Sequence, residues 1–246
     1  MKIIGVLVFA TMLAFPLTAF ETVTFTSRDG LTVTADLYLA HGPGAPFIIL
    51  FHQADYSRGE YREIAPRLNA LGFNTLAVDQ RSGRSAQMVT NETAARARAE
   101  KKPQSYLDAL PDMEAAVAWV RAQSFGKGRL LLWGSSYSAS LVLKLAGDDP
   151  GVCAAVLAFS PGEYFTPGDL IRSSAAKIRV PVFVTSGPYE KGDWEGIFQA
   201  IPAKSKVSFL PEGAGRHGSS TLWSGSSGNE AYWKAVETFL SGLRDA

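Results

Sequence analysis

The sequence predicts an α/β fold, a doubly wound and mostly parallel sheet of eight strands opened by an antiparallel hairpin. Short runs rich in Val, Ile, Leu and Phe recur along the chain, as strands covered on both faces should. Segments of helical period alternate with them, which builds a parallel sheet with helices on both sides. One run, 130–133, breaks at Gly134 and gives way to a helical pattern over 139–146, so that a serine stands on a strand–turn–helix junction.

The elements follow in order. Lys2, an apolar run over 3–17 and Leu17-Thr18-Ala19 make a signal-peptide pattern with cleavage expected after Ala19. The run is short for a membrane span, contains Pro16 and has no basic stop beyond it. Residues 20–246 are then a single exported domain, periplasmic or secreted, with no stable membrane insertion after cleavage. Runs 22–27 and 32–39 flank the turn Arg28-Asp29-Gly30-Leu31 and read as the hairpin. Runs 46–52, 73–78, 129–133, 152–159, 180–185 and 206–210 supply the remaining strands. Helical patterns cover 60–71, stopped by Gly72, then 105–123 and 229–243. Residues 92–102 fit a helix or a loop equally well.

Composition narrows the function classes. Lys and Arg number 24 against 23 Asp and Glu, so no nucleic-acid groove is expected. The single cysteine, Cys153, lies in an apolar run and reads as a buried structural thiol. Asn91-Glu92-Thr93 matches a glycosylation acceptor that only a eukaryotic secretory route would use. No metal or cofactor is expected, because the three histidines show no ligand spacing and no Gly-rich phosphate loop appears.

Gly134-Ser135-Ser136-Tyr137-Ser138 carries the chemistry. The pattern approximates G-x-S-x-G, in which small residues let a strand and helix meet tightly enough to expose a nucleophilic serine, here Ser136. A serine hydroxyl needs a base, and the base needs an orienting carboxylate. His41 reads as a surface turn residue. His52 ends a strand beside the expected oxyanion loop, where it can orient that loop. His217, in Gly215-Arg216-His217-Gly218 after the last strand, is the expected base. The acid should lie between Ser136 and His217 in chain order. Glu190, one short turn past the strand 180–185, is preferred to Asp193, which could equally be a helix cap. Oxyanion donors are expected from the Tyr137 amide and from Ala54, with Gln53 as the alternative. The segment Asp79-Gln80-Arg81-Ser82-Gly83 reads as a structural brace. Tyr56, Tyr137, Tyr164, Phe165, Trp194 and Trp223 fall on the expected active edge, and pocket residues are sought among Tyr56, Tyr164, Phe165, Trp194 and Trp223.

From Thr22 onward the chain resembles the α/β-hydrolases, most nearly the small dienelactone-hydrolase-like members. The resemblance rests on the elbow at Ser136, the loop opening His52-Gln53, Asp79-x-Arg81-x-Gly83, the helix before the elbow strand and His217 after the last strand. It implies an α/β-hydrolase fold and hydrolase activity. Dienelactone hydrolases use Cys as nucleophile; Ser136 favours ordinary esters. Larger relatives insert a lid where this chain has only 160–179, so no large cap domain and an open site are expected. The leading reading is an exported serine carboxylesterase acting on short-chain, soluble, small-molecule esters. An amidase, peptidase or acyltransferase on the same triad is an alternative, as is a non-catalytic binding scaffold of the same fold.

Overall fold

The computed structural model describes residues 20–243; the signal-peptide pattern lies outside them. Eight strands form one sheet: β1 (Glu21–Thr26), β2 (Thr32–Tyr38), β3 (Phe47–Phe51), β4 (Asn74–Val78), β5 (Leu130–Ser135), β6 (Ala155–Phe159), β7 (Val182–Thr185) and β8 (Lys206–Phe209). Their order is β1-β2-β4-β3-β5-β6-β7-β8. β2 is antiparallel to both β1 and β4, and the remaining pairings are parallel. Gly30, at φ 84°, makes the hairpin turn that a side chain would strain.

Helices α1 (Ile64–Ala70), α2 (Glu92–Ala99), α3 (Leu110–Ala122), α4 (Tyr137–Asp148), α5 (Leu170–Ala175), α6 (Lys191–Ala200) and α7 (Asn229–Gly242) complete the fold. Alternation along β3 explains the two cores. Phe47, Ile49 and Phe51 join the α3–α6 side, whereas Ile48 and Leu50 face α1 and α7. Each large side chain so buried contributes roughly 1.5–3 kcal/mol. β8 departs from the expected two-sided burial: Val207 and Ser208 are exposed, because this strand is the sheet edge.

The helix expected over 60–71 is split. A 3-10 turn, Arg58–Tyr61, precedes α1. Pro66 has no N–H to give the Arg62 carbonyl, so a continuous helix would lose a bond and clash there. Gly72 stops α1 at φ 93°, as expected. The pattern over 105–123 likewise opens as a 3-10 turn, Tyr106–Ala109, with Pro111 at the start of α3. Residues 92–99 are a helix, capped by the Asn91 side chain, which accepts from Ala94 N at 2.8 Å. Asn91 is fully buried, which excludes glycosylation of the folded chain.

The expected brace is an ion-pair lattice. Arg58 pairs with Asp36, Asp79 and Glu92, and Arg81 with Asp29 and Asp112. Arg58 and Arg81 thereby tie the loops after β3 and β4 to the hairpin and to α3. Cys153 is buried, and burial pushes its thiol up to about 12, as befits a structural residue.

Strand register sets the site's position. Phe51 pairs with Gly134, Ser135 with Phe159, and Phe159 with Thr185. The residues that follow β3, β5, β6 and β7 therefore leave the sheet at one carboxyl edge, where ligands bind in open α/β sheets.

Candidate active site

Ser136 sits between β5 and α4 at φ 57° and ψ −125°, a conformation that L-residues rarely adopt. Its amide donates to the Phe159 carbonyl at 2.7 Å, which holds the turn on the sheet. Gly134 is required: a Cβ there would stand 2.3 Å from the Ser138 carbonyl oxygen. Ser138, in place of the usual last glycine, is fully buried and donates its hydroxyl to the His52 carbonyl at 2.6 Å. Serine serves there because its hydroxyl joins the elbow to the neighbouring loop.

His217 reaches this turn from the loop after β8. Its Nε2 lies 2.8 Å from Ser136 Oγ. Its Nδ1 lies 3.0 Å from Glu190 Oε1, and Glu190 Oε2 accepts from Gly187 N at 3.2 Å. The Glu190 hydrogen bond raises the His217 pKa against the opposing effect of burial. Burial works to raise Glu190, but hydrogen bonds from His217 and Ser160 outweigh it and hold the carboxyl below its ordinary value. Asp193 is placed differently. It is exposed in the first turn of α6, and no hydrogen bond joins it to His217 among the described residues. Of the other histidines, His41 is exposed with its Nε2 on the Asn69 carbonyl at 2.7 Å. His52 is fully buried, its Nε2 accepts from Gln80 N at 3.1 Å, and burial lowers its pKa to about 4. It is a neutral loop brace.

The two expected oxyanion residues also fall at this edge. Among the described residues, the Tyr137 and Ala54 amides have no acceptor within the protein. The alternative, Gln53, is corrected: its amide donates to Glu60 Oε2 at 2.8 Å and is committed.

Solved structures share the overall fold. No family model and no curated protein matches the chain. A dienelactone hydrolase from Anabaena variabilis superposes with a TM-score of 0.71 at 15% identity, covering 92% of this chain and 98% of that one. An esterase from Pyrococcus furiosus gives 0.67 at 17% identity, covering 91% and 90%. Est1E from Butyrivibrio proteoclasticus, bound to ferulic acid, gives 0.67 at 16% identity, covering 89% and 98%. The chain has the α/β-hydrolase fold.

In this α/β-hydrolase fold the chain between β6 and β7 holds only the six-residue helix α5, in keeping with the expected absence of a large cap. The pocket candidates divide. Tyr164 is 40% exposed, donates to the Ser160 carbonyl at 2.9 Å, and has Ser136 and Glu190 among the groups acting on its hydroxyl, so its ring borders the Ser136–His217–Glu190 cluster. Gly162 leaves room for that ring, since a Cβ would meet it at 2.9 Å. Tyr56 and Trp223 stack with centroids 6.0 Å apart, 9° from parallel, and Arg216 lies 5.9 Å from the Trp223 ring. Trp194 and Phe165 are corrections. Trp194 is 2% exposed, packs in the α3–α6 core and donates its indole N–H to Ser186 Oγ at 2.8 Å. Phe165 is buried in the same core.

Three residues at the site escape sequence reading. Ser160, at φ 55°, accepts from Gly218 N at 2.9 Å, holding the histidine loop against the end of β6. Ser135 and Glu60 lie beneath the elbow. The doubled serine of the elbow is the one signal that points to Ser135.

Proposed function

We propose that the protein is an exported serine hydrolase that cleaves short-chain, soluble carboxylic esters through an acyl-enzyme. The observation that carries this reading is the continuous chain from Glu190 Oε1 to His217 Nδ1 at 3.0 Å and from His217 Nε2 to Ser136 Oγ at 2.8 Å. Glu190 accepts a hydrogen bond from Nδ1–H, which leaves the Nε2 lone pair facing the serine hydroxyl. The raised pKa of His217 makes it a stronger base for that proton.

Ser136 Oγ attacks the ester carbonyl carbon while its proton passes to His217 Nε2. The carbonyl electron pair moves to oxygen, where the Tyr137 and Ala54 amides receive it, each worth about 3 kcal/mol of barrier. Collapse expels the alcohol, which takes the proton from His217. Water then repeats the sequence on the acyl-serine, giving the acid and free Ser136. Glu190 stays ionised throughout and stabilises the imidazolium.

Substrate size follows from the short β6–β7 connection. With α5 alone in that stretch, no lid buries a long acyl chain, and His217 is itself exposed. The fold resemblance to an esterase and to a dienelactone hydrolase supports ester chemistry. Export rests on the N-terminal pattern of Lys2, the apolar run over 3–17 and Leu17-Thr18-Ala19. Purified protein should hydrolyse p-nitrophenyl acetate and butyrate faster than the octanoate and palmitate, and Ser136→Ala should abolish all four activities. Rates that climb with chain length overturn the short-chain assignment; no hydrolysis of any ester overturns the esterase reading.

A further inference from the structure

Glu60 lies under the site and takes no part in the triad. It belongs to the 3-10 turn Arg58–Tyr61 and is fully buried. Its Oε2 accepts from Gln53 N at 2.8 Å and its Oε1 from Ser135 Oγ at 2.8 Å. Ser135 Oγ in turn accepts from Ser219 N at 2.8 Å, and the Glu60 carbonyl accepts from Trp223 Nε1 at 2.8 Å. Gln53 adjoins Ala54, Ser135 adjoins Ser136, and Ser219 is two positions past His217. One side chain thus ties together the three segments that carry an oxyanion donor, the nucleophile and the base. Resting on the esterase reading above, we propose that Glu60 is a positioning residue whose ionised carboxylate holds these segments in their reactive arrangement.

Bond polarity makes the charge state matter. Gln53 N–H and Ser135 Oγ–H both donate to the carboxylate, and Ser219 N–H already occupies a lone pair of Ser135 Oγ. A proton on Oε1 would have to point at Ser135 Oγ. The Ser135 hydrogen would then have to leave Glu60, and the bond that Ser135 donates to it at 2.8 Å would be lost. A proton on Oε2 would oppose the Gln53 N–H. A carboxylate matches both donors as they stand.

Burial nevertheless pushes the Glu60 pKa up to about 7, against the hydrogen bonds from Gln53 and Ser135. The titratable groups that interact with it are His217, Tyr56, Tyr61 and Tyr137. All three tyrosines are shifted upward, chiefly by burial, and stay neutral at pH 7. Arg58, two residues away, is held by Asp36, Asp79 and Glu92, while Glu190 and Asp193 act on His217 from the far side. Within this cluster His217 and Glu60 are therefore the groups that lose protons before the tyrosines do as pH rises, and both must do so for turnover.

The test is the pH profile of kcat/KM on p-nitrophenyl acetate, for wild type and Glu60→Gln. The glutamine side chain has the shape of the protonated acid and cannot ionise. Wild type should show an acid limb of slope two. E60Q should show slope one, a limb displaced to lower pH because the negative charge that raises His217 is gone, and at pH 8 a kcat at least tenfold lower with KM within twofold. Ser135→Ala cuts the link to Ser219 while sparing the carboxylate; it should lower kcat at least threefold at unchanged KM, and it decides the matter should E60Q not fold. Wild-type kcat and an unmoved, single-proton acid limb in E60Q overturn the role of Glu60, as does a wild-type rate in S135A. Failure of the wild-type protein to hydrolyse the ester instead overturns the esterase reading.

Discussion

Glu190→Gln is the substitution whose effect the structure specifies most closely. Gln can present either its oxygen or its amide nitrogen to His217 Nδ1. Gly187 N–H, which donates to Glu190 Oε2 at 3.2 Å, settles the choice, because it needs an oxygen opposite it. The amide nitrogen then faces Nδ1, which must accept, and the ring proton moves to Nε2. That nitrogen donates toward Ser136 Oγ and no longer serves as base. In a fully buried serine-protease triad the equivalent change costs about 10⁴ in kcat. Here the Glu190 side chain is 25% exposed and that of His217 43%, so water can compensate in part. A loss of about 10³ in kcat follows, roughly 4 kcal/mol of barrier. Stability should hardly move, since a partly exposed ion pair contributes about 1 kcal/mol at most. Asp193→Asn, which breaks no bond to His217, should change kcat less than about threefold through screened charge alone. Turnover of p-nitrophenyl acetate and thermal melting of both variants test this. An E190Q enzyme within tenfold of wild type, or a D193N enzyme down a thousandfold, refutes the assignment of the acid.

Further outcomes follow from the same geometry. Ser136→Gly relieves the φ 57° conformation and should raise unfolding free energy by about 1 kcal/mol while eliminating turnover, whereas Ser136→Ala keeps the strain and gains nothing; chemical denaturation of both checks this. Gly134→Ala drives a methyl to 2.3 Å from the Ser138 carbonyl oxygen and should cost about 2–3 kcal/mol of stability together with most activity, measured by denaturation and by ester turnover. Wild type should lose stability relative to Glu60→Gln between pH 5 and pH 8. A carboxyl raised in the folded state from 4.5 to about 7 contributes stability that is complete below pH 4.5 and is lost as pH rises through 7, by about 3 kcal/mol at most. Denaturation curves at pH 5 and pH 8 should therefore converge for E60Q relative to wild type. The protonated His217–Glu190 pair gives the matching activity statement: turnover falls as pH drops through the raised His217 pKa, and removing the Glu190 charge should shift that fall to lower pH.

Much of the fold was legible because parallel strands buried on both faces leave unbroken apolar runs, as in Phe47–Phe51 and Ala155–Phe159. The side chains that meet at the candidate site were legible for a different reason. The chain has only three histidines, and only His217 follows the last strand with glycines close on both sides. Glu190 was separable from Asp193 by its distance past β7. What failed did so where tertiary packing decides. Trp194 reads as a loop residue, yet Trp194 and Ile197 stand at helical spacing on the buried stripe of α6, with buried Ile201 just past its end. Phe165 has no periodic context at all. Pro66 carries a readable signal that the helix over 60–71 must be interrupted. Glu60 stands in Arg58-Gly59-Glu60-Tyr61-Arg62-Glu63, a stretch with the look of a solvated surface. Its partner Ser135 is 75 positions away, and no local pattern announces such a contact.

The central claim is that Ser136 is a nucleophile activated by His217. Treatment with a fluorophosphonate, followed by mass spectrometry of the digested protein, tests it most directly. A single stoichiometric adduct should appear on the peptide containing Ser136. It should vanish in Ser136→Ala and form at least a hundredfold more slowly in His217→Ala, with both variants folded. A folded wild-type protein that takes up no label, or takes it up on another residue, contradicts the account.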